Sequence, residues 1–123
     1  MIYRIESREN WEAALPAGKF VPGDYGGEGF THCSALDQVE GVAKHLYRGE
    51  QGLVLLCISQ KLLHSEVRWE PADDGLYYPH VYGPIDVSAV VAVIPFPCSA
   101  DGTFALPPGM PDDSRDLPEE NNP

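Results

Sequence analysis

Three segments of the chain carry more polar and aromatic side chains than a buried core requires. The first is the apolar segment Met1–Ile5, which Arg4 interrupts. The second is Gly26–Ser34, with the sequence GGEGFTHCS, in which glycines precede His32. Imidazole and carboxylate groups serve as general acids or bases, and guanidinium groups pair with phosphates. The third segment, Arg68–Ile85, holds a dense set of groups that contact small molecules, namely Arg68, Trp69, Glu70, Tyr77, Tyr78, His80 and Tyr82.

Each of the first two segments has a functional and a structural interpretation. Arg4 either faces a cleft and pairs with a phosphate, or lies on an edge strand and bridges to an acid. In the second segment, alternation along a strand places Phe30, His32 and Ser34 on one face. This strand ends at the start of a predicted helix, where anions bind readily. Alternatively the glycines only form a turn, His32 is an interior histidine with a partner, and Ser34 only caps the helix.

The third segment is equally compatible with a pocket and with a small aromatic core. Alternation places Arg68 and Glu70 on one strand face, and we expect His80 and Tyr82 to share another. Aromatic side chains with polar groups are common in both settings. In the structural interpretation, Arg68 and Glu70 form an ion pair on their shared face.

Composition excludes several classes of protein. The 123 residues, 43% of them hydrophobic, are enough for one domain with one core. A net charge of −11 argues against partners such as nucleic acid or an anionic membrane. The longest apolar run, Ala89–Phe96, is far shorter than the roughly 20 residues that cross a bilayer. An odd number of cysteines and no visible export signal favour reduced thiols in a cytoplasmic protein. The scattered histidines give no metal-ligand spacing, so no metal is expected.

Helix signals fall in the first half of the chain. We predict helices over residues 8–16 and 35–48, with Ser7 and Ser34 as their N-caps. The segment Gly23–Gly29 is predicted to be a glycine-rich connection between elements.

The remaining elements are predicted to be short strands, so the fold class is α+β. The continuous apolar runs Leu53–Ile58 and Ala89–Phe96 are typical of central strands. Five prolines and an excess of acids mark residues 107–123 as a disordered tail. The folded domain therefore spans residues 1–106.

Several motifs resemble those of the bacterial domain-of-unknown-function 952 family over essentially all of residues 1–96. They are IYRI at 2–5, W-x-x-A at 11–14, GFTHCS at 29–34, RWE at 68–70, PHVYGPI at 79–85 and AVVAV at 89–93. That family is regarded as a divergent branch of the ADP-ribosyltransferase-like fold, related to RNA 2′-phosphotransferases. The resemblance implies two small, mostly antiparallel sheets with the two helices packed beside them, and NAD or an ADP-ribosylated intermediate held between the sheets.

The resemblance also implies roles for individual residues. Tyr3 and Arg4 occupy the first-strand position, where a histidine usually holds the ribose of the ligand. His32 falls where the second strand presents a tyrosine or histidine to the nicotinamide. The region 78–82 corresponds to the strand that often supplies a catalytic glutamate. This sequence departs from the pattern twice, since Arg4 replaces the histidine and residues 78–85 contain no glutamate.

We therefore expect a protein whose partner is a small nucleotide, NAD or a related metabolite, and which as an enzyme transfers or removes ADP-ribose or acts as a phosphotransferase. The expected catalytic residues are His32, Glu70 and His80, and the expected ligand-binding residues are Tyr3, Arg4, Gly29, Ser34, Arg68, Trp69 and Tyr82. His32, Arg4 and His80 are expected to converge on one cleft. The alternatives are a non-catalytic binding module and a metal-free hydrolase that uses His80 and Glu70. Glu70 in the cleft favours the enzyme, whereas an Arg68–Glu70 pair that faces away favours the module.

Overall fold

The computed structural model describes residues 1–111, apart from the side chains of residues 24 and 25. The three α-helices lie in the first half of the chain and the sheets are small and antiparallel, so the fold class is α+β. The strands are β1 (Ile2–Ser7), β2 (Lys19–Phe20), β3 (Thr31–His32), β4 (Leu53–Ile58), β5 (Glu66–Pro71), β6 (Tyr77–Tyr82), β7 (Ile85–Asp86) and β8 (Val90–Pro95), and the α-helices are α1 (Arg8–Ala14), α2 (Gly23–Glu28) and α3 (Val39–Leu46).

The described residues form three antiparallel sheets rather than the two expected. Their strand orders are β1-β4-β8, β3-β6-β5 and the short pair β2-β7. The pair β2-β7 joins Lys19 to Asp86 and Phe20 to Ile85. Two-residue strands show no alternation of apolar and polar residues, which explains why the sequence pattern did not reveal this sheet.

The strand β4 lies at the centre of the first sheet and is buried along its whole length. Its bounds and central position agree with the prediction. The second predicted central strand, Ala89–Phe96, is wrong in position, because β8 lies at the edge of this sheet and exposes Val91. A sheet of three strands has one central position, and an apolar run alone does not show which strand occupies it.

Two clusters of buried side chains cover the two faces of β4. The first also contains Trp11 of α1 and Val81 of β6, and the second contains Val39 of α3 and Tyr3 of β1. Alternate residues of β4 enter the first cluster (Val54, Leu56, Ile58) and the second (Leu53, Leu55, Cys57). Burial raises the pKa of the Cys57 thiol to about 12, so this cysteine is an inert core residue.

The first helix begins as predicted, whereas the start of the second was predicted wrongly. The Ser7 hydroxyl accepts a hydrogen bond from the Asn10 backbone N–H at 3.1 Å. Ser34 caps no helix; its backbone pairs with that of Tyr3. The side-chain oxygen of Gln38 instead accepts from the Ala35 N–H at 2.9 Å, and a 3₁₀ turn over Leu36–Gln38 leads into α3.

The prediction that Gly23–Gly29 is a connection between elements is also wrong, since most of this segment forms the helix α2. Glycine disfavours helix, which explains why the sequence pattern predicted a connection here, and α2 contacts the strand β3 that follows it.

The end of the described chain packs on the domain. Leu106 and Met110 lie partly buried against the second core cluster. The predicted disordered tail begins at residue 107, and its residues 112–123 lie outside the described residues.

Asp86 on β7 ties together three parts of the fold. Its carboxylate accepts hydrogen bonds from Lys19 Nζ at 2.9 Å, from the His64 backbone N–H at 3.1 Å and from the His64 ring at 2.8 Å. The hydrogen bonds from Lys19 and His64 hold the pKa of Asp86 well below its usual range. Asp86 therefore stabilises the folded state in its ionised form.

We predict that Asp86→Asn lowers the free energy of unfolding by about 1 kcal/mol at pH 6, because the exposed Lys19 and His64 are partly screened by solvent. The pKa of Asp86 is depressed on folding, so its contribution is present above about pH 4 and is lost as the pH falls through the folded-state pKa. Urea unfolding at pH 6 and pH 3 measures the difference. The exposed Asp37→Asn is the control for the loss of charge. An Asp86→Asn penalty that is equal at both pH values would contradict this explanation.

Candidate functional site

The sheet β3-β6-β5 places a row of reactive side chains on one face. His32 of β3 lies opposite His80 of β6, and His80 lies opposite Arg68 of β5. Directly opposed residues of antiparallel strands project to the same side, as do residues two positions apart on one strand. This surface, the histidine face, consists of Phe30, His32, Glu66, Arg68, Glu70, Tyr78, His80 and Tyr82.

The expectation that Arg68 and Glu70 lie on a different face from His80 and Tyr82 is wrong. Alternation within each strand was correct, but the register between β5 and β6 pairs Arg68 with His80. All four side chains therefore share one surface. Glu70 and His80 are in direct contact as a result.

One carboxylate oxygen of Glu70 binds two neighbours. The His80 Nδ1 lies 2.8 Å from Glu70 Oε1, and the Tyr82 hydroxyl donates a hydrogen bond to the same oxygen. The hydrogen bonds from Tyr82 and His80 lower the pKa of Glu70, and the bond to Glu70 raises the pKa of Tyr82. At neutral pH the carboxyl is thus ionised and the phenol is protonated.

This charge state fixes the role of the His80 ring nitrogens. An ionised carboxylate only accepts hydrogen bonds, so His80 Nδ1 must be the protonated donor in its contact with Glu70. In the neutral imidazole the other nitrogen, Nε2, then carries the lone pair. A histidine held in this way can act as a general base through Nε2.

Aromatic rings surround His80. The ring of Phe30 is stacked on it with centroids 4.1 Å apart and an angle of 22°. The ring of His32 lies 5.1 Å from that of His80, edge to face, and Tyr82 lies 5.3 Å from Phe30. These rings offer flat apolar surface beside a polar pair, as small-molecule sites do.

Charged side chains border the rings. Arg68 binds Glu66 at 3.0 Å, and its guanidinium lies 4.4 Å over the ring centre of Tyr82. Arg68 also lowers the pKa of Glu66, which keeps that carboxyl ionised. At one end of the face, Glu28 of α2 lies 3.1 Å from His32 Nε2. Glu28 and Glu66 were not singled out from the sequence, although Glu28 has the i, i+4 spacing to His32 and Glu66 alternates with Arg68.

Arg4 reaches the rear of this site from the neighbouring sheet. Its Nη1 donates to the backbone carbonyl of His32 at 2.8 Å, while Nε and Nη2 bind Glu6 at 3.1 and 3.0 Å. Both side chains are about nine-tenths buried. Arg4 therefore pairs with an acid, as its structural interpretation holds, and it also links β1 to β3. The structure thus places the Arg4 guanidinium against the backbone of His32, and the ring of His32 beside that of His80.

The other expected ligand-binding residues have different positions. Tyr3 is buried in the second core cluster, and Ser34 is buried next to it. Trp69 alternates with Arg68, so it projects from the opposite side of the sheet, where it is 44% exposed. Gly29 precedes Phe30 with a φ of +85°, a left-handed conformation that favours glycine. Tyr3, Ser34 and Trp69 are thus not part of the histidine face.

A groove of about 400 Å³ lies elsewhere, between α1 and the segment that follows β2. None of the predicted site residues lines it, and its charged residue, Lys19, is paired with Asp86. Its lining residues are Asn10, Ala13, Ala14, Lys19, Phe20, Val21, Pro22 and Gly23. We place the candidate site on the histidine face because the groups capable of acid–base chemistry are in contact there.

Among the side chains that the structure describes, no cluster of three or more histidine, cysteine or acidic groups is arranged to hold a metal ion. Among the helices of residues 1–111, none has the length and apolar character needed to span a membrane.

We predict that Tyr82→Phe raises the pKa of Glu70 toward its usual value, because the hydrogen bond from Tyr82 is the largest cause of the lowered pKa. Carbon-detected NMR titration of the glutamate carboxyl groups measures the change. Tyr78→Phe is the matched control, since Tyr78 donates to Asp74 and not to Glu70. A Glu70 pKa that is the same in both variants would show that Tyr82 does not hold the carboxylate.

Comparison with known proteins identifies relatives of the same fold. A family described as a protein of unknown function, DUF952, matches residues 5–93. The crystal structure of protein CC0527 from Caulobacter crescentus is 35% identical, covers 85% of this chain and 92% of that chain, and has a TM-score of 0.78. The solution NMR structure of the same protein is 36% identical, covers 83% of this chain and 89% of that chain, and has a TM-score of 0.73. No curated protein gives a significant match. These matches confirm the family resemblance of the motifs, and the chain belongs to the DUF952 family.

Proposed function

We propose that the histidine face binds NAD or a related nucleotide and that Glu70 and His80 act together in transferring or removing ADP-ribose. The observation that carries this proposal is the contact of one ionised carboxylate with His80 Nδ1 and the Tyr82 hydroxyl. The likeness of the sequence motifs to the ADP-ribosyltransferase-like fold supports the choice of ligand. The free thiols of Cys33, Cys57 and Cys98 support a cytoplasmic location.

Glu70 supplies a carboxylate close to the strand in which the superfamily pattern expects a glutamate. Residues 78–85 contain no glutamate, but β5 lies next to β6 and places Glu70 directly opposite Tyr78. The carboxylate thus comes from the neighbouring strand and contacts His80. Because Glu70 lies in the site, this geometry favours an enzyme over a binding module.

Groups on the face match the parts of a nucleotide. The ring of Tyr82 offers a surface on which a base can stack. Arg68 supplies a positive charge and a forked donor for a phosphate. Glu70 can accept a hydrogen bond from a ribose hydroxyl, since a carboxylate oxygen accepts more than one donor.

The chemistry requires a base and a stabilising negative charge. When the bond between ribose C1′ and nicotinamide breaks, its electron pair leaves with the nicotinamide and C1′ becomes electron-poor. His80 Nε2 takes a proton from the attacking water or acceptor group, whose oxygen bonds to C1′. Glu70 stabilises the resulting imidazolium through Nδ1, and its charge also favours the electron-poor C1′.

The same pair gives a metal-free hydrolase as a second candidate. The 2.8 Å contact between His80 and Glu70 would also activate water for attack on an ester or phosphoester. The two candidates differ in their products, because only the first releases nicotinamide from NAD.

Calorimetric titration with NAD, ADP-ribose and AMP, together with NMR detection of nicotinamide, tests the proposal. We expect NAD to bind and nicotinamide to be released. Glu70→Gln is expected to lower the rate at least about 100-fold, because the negative charge that stabilises the His80 imidazolium is lost. Glu66→Gln is the matched control, because it removes the same charge from the same face without touching His80.

Binding of none of these three ligands at millimolar concentration would overturn the proposal. Binding of NAD without release of nicotinamide would contradict the proposed catalysis and support the alternative, a non-catalytic binding module. Equal losses of rate in Glu70→Gln and Glu66→Gln would show that only the total charge of the face matters.

A further inference from the structure

The imidazole of His80 is nearly covered, although the proposed chemistry requires a ligand to reach it. Its side chain is 11% exposed, and Phe30 is stacked on one face of the ring at 4.1 Å. His32 lies 5.1 Å away at the edge, and Glu70 holds Nδ1. A planar ligand can therefore stack on His80 once Phe30 has moved away.

The chain just before Phe30 contains glycines that packing does not explain. A Cβ at Gly26 or Gly27 in α2 would meet no heavy atom within 4 Å. These glycines therefore make no room for a neighbouring group, yet glycine is among the least favourable residues in a helix. Their physical effect is to weaken the last turn of α2. Gly29, with its φ of +85°, then turns the chain toward Phe30.

One contact at this end of α2 is an exposed ion pair. Glu28 binds His32 at 3.1 Å, and both side chains are about half exposed to solvent. Exposed pairs of this kind contribute little to stability, because water screens their charges. A weakened helix end and an exposed ion pair thus precede Phe30, and the ring of Phe30 itself contacts those of His80, His32 and Tyr82.

We propose that Gly26–Phe30 is a hinged cover of the candidate site. The segment bends at Gly26, Gly27 and Gly29, lifts Phe30 from the His80 ring and lets a planar ligand stack in its place. The proposal rests on the proposed function for the identity of that ligand, a nucleotide base. The opening itself is a property of the protein without ligand.

Chemical modification of histidine with diethyl pyrocarbonate measures the opening directly. The full chain is reacted, and the rate at His80 is compared by mass spectrometry with that at His64, whose side chain is 84% exposed. The double variant Gly26→Ala/Gly27→Ala strengthens the helix without a steric clash. Gly41→Ala in α3 is the matched control, since a Cβ there also meets no atom within 4 Å.

We expect the ratio of the His80 rate to the His64 rate to fall about fivefold in the double variant, since alanine favours the closed helix. The ratio is expected to stay unchanged in Gly41→Ala and to rise at least about fivefold in Phe30→Ala, in which the cover is missing. Circular dichroism checks that each variant is folded.

Equal ratios in the wild type and the double variant would overturn the cover, as would a wild-type His80 that reacts as fast as His64. The reagent requires no nucleotide, so this result is independent of the proposed function. If the ratio falls as expected while NAD does not bind, the cover stands and the proposed ligand is wrong.

Discussion

The antiparallel register of β6 between β3 and β5 decides where every polar group of the histidine face lies. Val81 is completely buried in the first core cluster, and it lies opposite Thr31 on one side and Val67 on the other. A slip of one residue would expose Val81 and turn His80 into the core. The hydrophobic effect that buries Val81 therefore also aligns His80 with His32. In this way the packing of the core positions the site.

Charge pairing within single strands completes the arrangement. Arg4 binds Glu6 and Arg68 binds Glu66, in each case two residues away on the same strand face. The buried Arg4 pair joins two sheets, whereas the exposed Arg68 pair keeps a guanidinium at the surface. Glu70 has no such arginine as its main partner and binds His80 and Tyr82 instead. This difference leaves Glu70 available to control the protonation of an imidazole.

Local patterns in the sequence predicted single strands and helices better than they predicted the order and register of the strands in the sheets. Leu53–Ile58 is a continuous apolar run of six residues, so its bounds and burial were correctly predicted. The helix within Gly23–Gly29 was missed, because the glycines of this segment disfavour a helix and are typical of turns. The edge position of β8 and the contact of Glu70 with His80 depend on strand order and register. Neither property is encoded in the alternation of one strand.

The central claim is that an ionised Glu70 fixes the tautomer of His80. Nitrogen-15 NMR of the histidine rings at pH 8 tests it most directly, because the shifts of Nδ1 and Nε2 show which nitrogen carries the proton. The structure predicts a His80 that is protonated at Nδ1 with the lone pair on Nε2. A neutral His80 that is protonated at Nε2 alone would contradict the account, since its Nδ1 could not then donate to the carboxylate of Glu70.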